Sequence, residues 1–278
     1  MMKCVYIGEN EYDTFATIVT EKYNPSKAVL TTIKTRVESC YNQYLFRFDE
    51  LEAKQFSEFS AAEVEEKKHL QGCYSSLTKT GIPIKSSILS SQPDVLKTLC
   101  PYCLLEAPKT LDHYIGKDEF PEYSFLVKNL IPCCYSCNNI KDIKWRDSYR
   151  RRFIHFYNDN FFEEQFLFAS LRIIESTPII NLSLVKPQNL DDDSFQIVSW
   201  HFEDLKLLDQ YEQKCNTLLS TEIKIMKDGN FNDGLTLQQI EVQLQRREKN
   251  FADDYGINYW KSIMFQCMSQ NVKDLLTC

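Results

Sequence analysis

Glycine is scarce in this chain, at 7 of 278 residues. That scarcity excludes a flexible, loop-rich protein and points to densely packed cores, the more so because aromatic residues reach 13%. Long apolar runs are missing too: none approaches the ~20 residues of a membrane span. Met1-Met2-Lys3 leads into Cys4-Val5-Tyr6-Ile7-Gly8, but Glu9 and Glu11 interrupt this stretch too soon for a secretory signal, so the cytoplasm is the expected compartment. Positive charge is not in excess either. The formal net charge is -7 and the pI about 5.3, which argues against a protein that coats nucleic acid nonspecifically. A local basic cleft stays open, because phosphate contact depends on patches rather than totals. Internal repeats, heptads and low-complexity tracts are absent from the sequence.

What is present is an ordinary globular composition, 43% hydrophobic and 26% charged, with a length suited to one large domain or two small ones. Residues 1–96 read as mainly helical. Asn24-Pro25 resembles a helix start continuing through Ala28 to Val37, and Ser60-Ala61-Ala62-Glu63 has the form of a capping box for a helix through His69-Leu70. Gly81-Ile82-Pro83 predicts a break, with a short helix over Ile84 to Leu89 and Pro93 ahead of Val95-Leu96. Residues 97–157 form a cysteine-rich segment. Residues 158–278 read as strands followed by helices: weak alternation over Glu164 to Ala169, then β-branched runs over Leu171 to Val185 and Gln196 to Trp200, with a turn at Asp191-Asp192-Asp193. From Phe202 the spacing of Leu205, Leu208, Tyr211, Cys215 and Leu219 turns helical. Asp228-Gly229-Asn230 and Asn232-Asp233-Gly234 predict a loop. Thr236-Leu237-Gln238-Gln239 then caps a helix through Lys249, and a last helix runs from about Asn258 towards Leu276. The fold class expected is α+β.

Six of the eleven cysteines are scattered, and five crowd between Cys100 and Cys137. With no export signal, disulfides are not expected. Cys100-x2-Cys103 and Cys134-x2-Cys137 are two close pairs far apart, the spacing of a four-thiolate zinc site with folded structure between its halves. Four reduced core cysteines are the bland alternative. Cys133 offers a ligand with the spacing shifted by one, although the x2 spacing favours Cys134. Between the pairs lies Thr110-Leu111-Asp112-His113-Tyr114. On a strand, an adjacent carboxylate and imidazole point to opposite faces, so one can ligate an ion while the other meets a water. With only four histidines in the chain, one beside an Asp inside a metal-framed segment is a candidate base rather than a surface residue.

Cys100-x2-Cys103, Asp112-His113-Tyr114-Ile115, Phe120-Pro121-Glu122-Tyr123-Ser124, Lys128 to Cys134 and Cys137-Asn138-Asn139-Ile140-Lys141 together resemble an HNH endonuclease, over roughly residues 97–157. The resemblance implies a ββα-metal finger: a hairpin carrying the Asp-His pair, then a helix carrying the third metal position. It implies His113 as general base, Asp112 and Asn138 as ligands of a catalytic magnesium or manganese, and Asn129 as a catalytic-site brace that orients the histidine. Cys100, Cys103, Cys134 and Cys137 would hold a structural zinc. Asn in place of His at the third motif position still offers oxygen to a hard ion, and Asn139 and Asp142 are alternative sharers of that role. More loosely, His69 through Ser76 and the aromatics after Arg152 resemble HNH nucleases of bacterial anti-phage defence, such as the nuclease subunit of Septu and related retron systems. That resemblance implies an ATPase partner.

Lys141, Lys144, Arg146, Arg150, Arg151 and Arg152 follow the motif with Trp145 and Tyr149 interleaved. A basic helix there would track the phosphates of DNA or RNA; a solvated helix face is the alternative. Two other functional readings stand beside the nuclease. One is a zinc-framed nucleic-acid-binding module without catalysis, and the other is an adaptor whose helical flanks dock a partner.

Overall fold

The computed structural model describes residues 1–54, 56–59, 63–147 and 150–278. The capping box at Ser60 to Ala62 and the interleaved Tyr149 therefore lie outside the described residues. The chain divides into two compact units, Lys3–Asn158 and Asp159–Cys278 together with Met1–Met2. Helices with two small antiparallel sheets make it an α+β protein. Among the described residues no helix is long and apolar enough to cross a membrane.

The first unit opens with α1 (Glu11–Glu21) and α2 (Ser26–Phe46) packed on each other, with α3 (Val64–Ser75) against α2. Phe15, Ile18 and Val19 of α1 meet a stripe on α2 formed by Leu30, Ile33, Val37, Tyr41 and Tyr44, all buried. Spacings of three and four residues put that stripe on one helical face, and each such side chain contributes about 1.5–3 kcal/mol by leaving water. Helix α2 begins at Ser26, one residue later than a proline at the first helical position requires, and runs well past Val37. α4 (Gly81–Ser90) corrects the expected break: Pro83 falls in its first turn, where backbone N–H groups have no intrahelical partner to lose. Pro93 separates α4 from Val95-Leu96 as expected, and those residues lie in a further short helix, α5 (Asp94–Thr98).

β1 (Thr110–His113) and β2 (Leu130–Cys133) form a two-stranded ribbon in which Asp112 faces Ile131 and His113 faces Leu130. Such a ribbon is marginal alone. Here Leu111, Val127 and Leu130 pack with Ile88 of α4 in one buried cluster. α6 (Tyr135–Lys141) follows at once and packs on β1, completing a ββα unit.

In the second unit β3 (Leu167–Ile174) and β4 (Thr177–Leu184) form a hairpin. Its central residues Glu175 and Ser176 have φ of 47° and 63°, the double left-handed pattern of a type I′ turn that matches strand twist. α8 (Leu207–Phe231) covers the edge of β4: Glu212 Oε1 accepts from Leu182 N at 2.7 Å, and the Asn216 amide pairs with both N and O of Ile180 at 2.8 and 2.9 Å. Gln196 to Trp200 is not a strand but the centre of α7 (Asp192–Asp204). Asp191 caps this helix by accepting from Ser194 N at 2.8 Å, and the buried Ile197, Val198, His201 and Phe202 follow helical spacing. Asp228 to Asn230 stay within α8 rather than forming a loop. α9 (Leu237–Tyr255) opens with the expected capping box at Thr236 and extends beyond Lys249. The expected last helix is two, α10 (Trp260–Gln270) and α11 (Val272–Thr277).

Candidate metal centre and catalytic pocket

The chain reversal between β1 and β2 brings the two cysteine pairs together. The sulfurs of Cys100, Cys103, Cys134 and Cys137 lie within 4.8 Å of one another, and all four residues are buried. A tetrahedral zinc with Zn–S near 2.3 Å spaces its sulfurs about 3.8 Å apart; Cys103 Sγ and Cys134 Sγ are 3.9 Å apart. The cluster therefore fits a metal such as zinc. Cys133, the alternative ligand, lies outside this set; its thiol adjoins Cys100 and Cys134, and its backbone serves the ribbon. Its carbonyl accepts from Lys109 N at 3.0 Å and from Thr110 Oγ1 at 2.9 Å. Leu104, at φ 49°, turns the first pair so that its N–H reaches Cys100 O at 2.7 Å. Backbone N–H groups point at sulfur, Cys134 N to Cys100 Sγ at 3.3 Å and Cys137 N to Cys134 Sγ at 3.4 Å, contacts that favour thiolates. Hydrogen bonds from Cys100 and Cys103 hold the Cys134 thiol well below its ordinary range.

Beside this centre, Asp112, His113, Lys117, Asn138 and Asp142 line one pocket. The direction of each polar group follows from its neighbours. His113 Nε2 lies 3.0 Å from Ser124 O. A carbonyl can only accept, so Nε2 carries the proton and Nδ1 keeps its lone pair, the form a base requires. Among the described residues Nδ1 has no hydrogen-bond partner. Burial, with Tyr74 edge-on at 4.4 Å between centroids, pushes the imidazole down to about 3, which leaves it neutral but a weaker proton acceptor than an ordinary imidazole. The Thr110 hydroxyl gives its one proton to Cys133 O, so it can only accept from Asn138 Nδ2 at 3.0 Å. Asn138 is thereby fixed with its carbonyl oxygen as the remaining ligand end. Asp112, 1% exposed, is held at Oδ2 by Tyr102 OH at 2.7 Å and by Lys141 Nζ at 3.1 Å from each oxygen. A carboxylate has about four acceptor positions, so one remains for a cation.

Asn129 stands behind the pocket rather than in it. Its side chain is fully buried. Oδ1 accepts from Ile115 N at 2.8 Å and Tyr44 OH at 3.0 Å, while Nδ2 donates to Ile115 O at 3.0 Å and Tyr123 O at 3.1 Å. It thus clamps the loop whose next carbonyl, that of Ser124, holds His113. Three residues outside any sequence motif, Tyr44, His155 and Glu11, support this clamp. Tyr44 spends its proton on Asn129, so it accepts from His155 Nε2 at 3.1 Å; burial holds His155 well below its usual range and therefore neutral. Glu11, buried in α1, accepts from Val127 N and Lys128 N at 2.9 Å each and from Tyr6 OH at 2.6 Å. The rarity of histidine was the only sequence signal for His155; Glu11 carried none.

The basic run is not a helix. α6 ends at Lys141, Asp142 turns the chain at φ 46°, and Arg146 bridges back to Arg151. Its charges are partly internal. Lys141 is fully buried on Asp112 and on the carbonyls of His113 and Tyr114, at 3.1 and 2.9 Å. Arg146 pairs with Glu119 at 2.9 Å and donates to Leu51 O and Glu52 O, and Arg151 pairs with Glu52 at 2.9 Å. Lys144 and Arg150 are exposed, and Arg152 is half-buried.

Protein ea31 of Escherichia phage lambda is 27% identical to this chain over 187 residues, an alignment spanning 62% of the chain and 62% of that protein's own length. No family model matches the chain, and no solved structure matches it.

Proposed function

We propose that this protein is a metal-dependent endonuclease of the HNH kind, hydrolysing phosphodiester bonds in DNA or RNA. The observation that carries the reading is the ββα unit framed by the four-cysteine cluster, in which Asp112, His113 and Asn138 line one pocket. Asp112 and Asn138 would hold magnesium or manganese, which supplies positive charge at the scissile phosphate. The neutral His113, proton on Nε2 and lone pair on Nδ1, would take the proton of the attacking water as its oxygen bonds to phosphorus and the P–O ester bond breaks, the leaving alkoxide being protonated from solvent. Asn129 and Ser124 keep the ring from turning, and the four cysteines hold zinc as the rigid base of the finger. An ATPase partner and a role in anti-phage defence belong to the same reading, supported by the sequence resemblance of the flanks. Lys144, Arg150 and Arg152 would contact the nucleic-acid backbone.

Metal rescue tests the reading. Asp112→Ala and Asn138→Ala are expected to lose cleavage through the cation, so raised manganese partly restores it. The same manganese leaves His113→Ala inactive. Equal rescue of all three variants would remove His113 from the chemistry, and full activity without added magnesium or manganese would remove the catalytic cation.

A further inference from the structure

The expected phosphate track, residues 141–152, spends Lys141, Arg146 and Arg151 on carboxylates within the fold. Of two lysines outside that run, one lines the pocket and the other stands one ring away from its histidine. Lys117, in the loop after β1, lines the pocket beside Asp112 and His113. Lys85, on α4, places its ammonium 4.3 Å from the centre of the Tyr74 ring, and Tyr74 in turn packs at 4.4 Å against His113. The ammonium, the phenol ring and the imidazole form one contiguous run, in which Tyr74 fixes both the base and the cation. Among the described residues neither ammonium makes an ion pair. Both side chains are only partly exposed, so each has packing on one side and solvent on the other.

We propose that Lys85 and Lys117 are the phosphate-gripping residues of this site, binding the phosphodiester backbone next to the bond that His113 addresses; this rests on the nuclease reading above. The chemistry is a point-charge contact to non-bridging phosphate oxygen, which carries no sequence information. Its ligand is the backbone common to duplex DNA, single-stranded DNA and RNA. Asp112, Asp118 and Asp142 also border the pocket, so its acidic side suits a cation and the two lysines supply the anion-binding side. Lys85 acts through a surface made by α3 and α4. A sequence scan for basic runs passes over it because no cation neighbours it in the chain.

The test is a salt titration of binding to labelled duplex DNA, single-stranded DNA and RNA of equal length. It compares the full-length His113→Ala protein with the same protein also carrying Lys85→Ala and Lys117→Ala, and cleavage by wild type is recorded alongside. Losing two phosphate contacts should reduce the steepness of log K against log salt by about 1.8 on duplex and about 1.4 on single strands, alike for all sequences. Zinc content and melting temperature should stay unchanged. The arm with the largest loss identifies the backbone form the site prefers. An unchanged slope and affinity, in a protein whose wild type cuts, would overturn this assignment and leave the nuclease reading intact. A wild type that neither binds nor cuts any of the three would overturn both.

Discussion

At the scale of single residues, the pocket's chemistry is decided by which protons are already spent. Thr110 donates to Cys133 O and so accepts from Asn138 Nδ2, which leaves the carbonyl oxygen as the other polar end of that side chain; Ser124 O accepts from Nε2 of His113 and so leaves the lone pair on Nδ1, the atom proposed as the base. Lys141 is the residue with the most to lose. Its ammonium is fully buried between both oxygens of Asp112 and two carbonyls. Lys141→Met would leave the Asp112 carboxylate buried without its cation, and removing one partner of a buried pair costs about 3–5 kcal/mol. Denaturant unfolding should report that loss, and a change under about 1 kcal/mol would mean that water reaches Asp112. The sequence made Asp112 and His113 recognisable as candidates because an Asp-His pair between cysteine pairs is rare. Lys141 read instead as the first member of a basic run. No local pattern marks a lysine as buried, since its burial depends on a carboxylate 29 positions earlier in the chain.

At the scale of elements, the ribbon and helix of the finger agree with what the family resemblance implies, and the capped start of α9 followed from its Thr-x-x-Gln pattern. The errors have a common cause. Gln196 to Trp200 has strand-like composition, yet the Asp191 cap and a buried face at helical spacing make it part of α7. Tertiary packing overrides weak β preference. The residues after Lys141 read as a basic helix by composition, but Asp142 adopts a left-handed φ and Arg151 turns inward to Glu52. Arg151→Glu is therefore expected to destabilise the first unit by about 3 kcal/mol, since it sets two carboxylates face to face in a nearly closed site. Lys144→Glu, at an exposed position, should change stability by no more than about 0.5 kcal/mol. Thermal melts of the two variants separate a structural from a solvated role. The hairpin offers a gain rather than a loss. Glu175 and Ser176 hold left-handed conformations that L-residues resist by roughly 1–2 kcal/mol each. Replacing the pair with Asn-Gly should raise stability by about 1 kcal/mol or more, and an unchanged melting temperature would mean the turn is not type I′ in solution.

At the scale of the whole molecule, the cysteine cluster ties the first unit together, joining the end of the N-terminal helices to the start of α6. Metal analysis should find about one zinc per chain, because four buried sulfurs within 4.8 Å of one another match the spacing of a tetrahedral thiolate site. Cys103→Ser should lose the metal and the fold of the finger together, since metal binding is coupled to folding; a stable, zinc-free wild-type protein would contradict the assignment. The most direct test of the account is strand cleavage by His113→Ala, assayed on labelled duplex DNA and RNA with magnesium and with any ATPase partner present. Circular dichroism, zinc content and nucleic-acid affinity serve as folded-state controls. The account predicts a loss of about a hundredfold to ten-thousandfold in cleavage, as for removal of a general base, with the three controls unchanged. Cleavage by His113→Ala at the wild-type rate would contradict it and leave a zinc-framed binding module in its place.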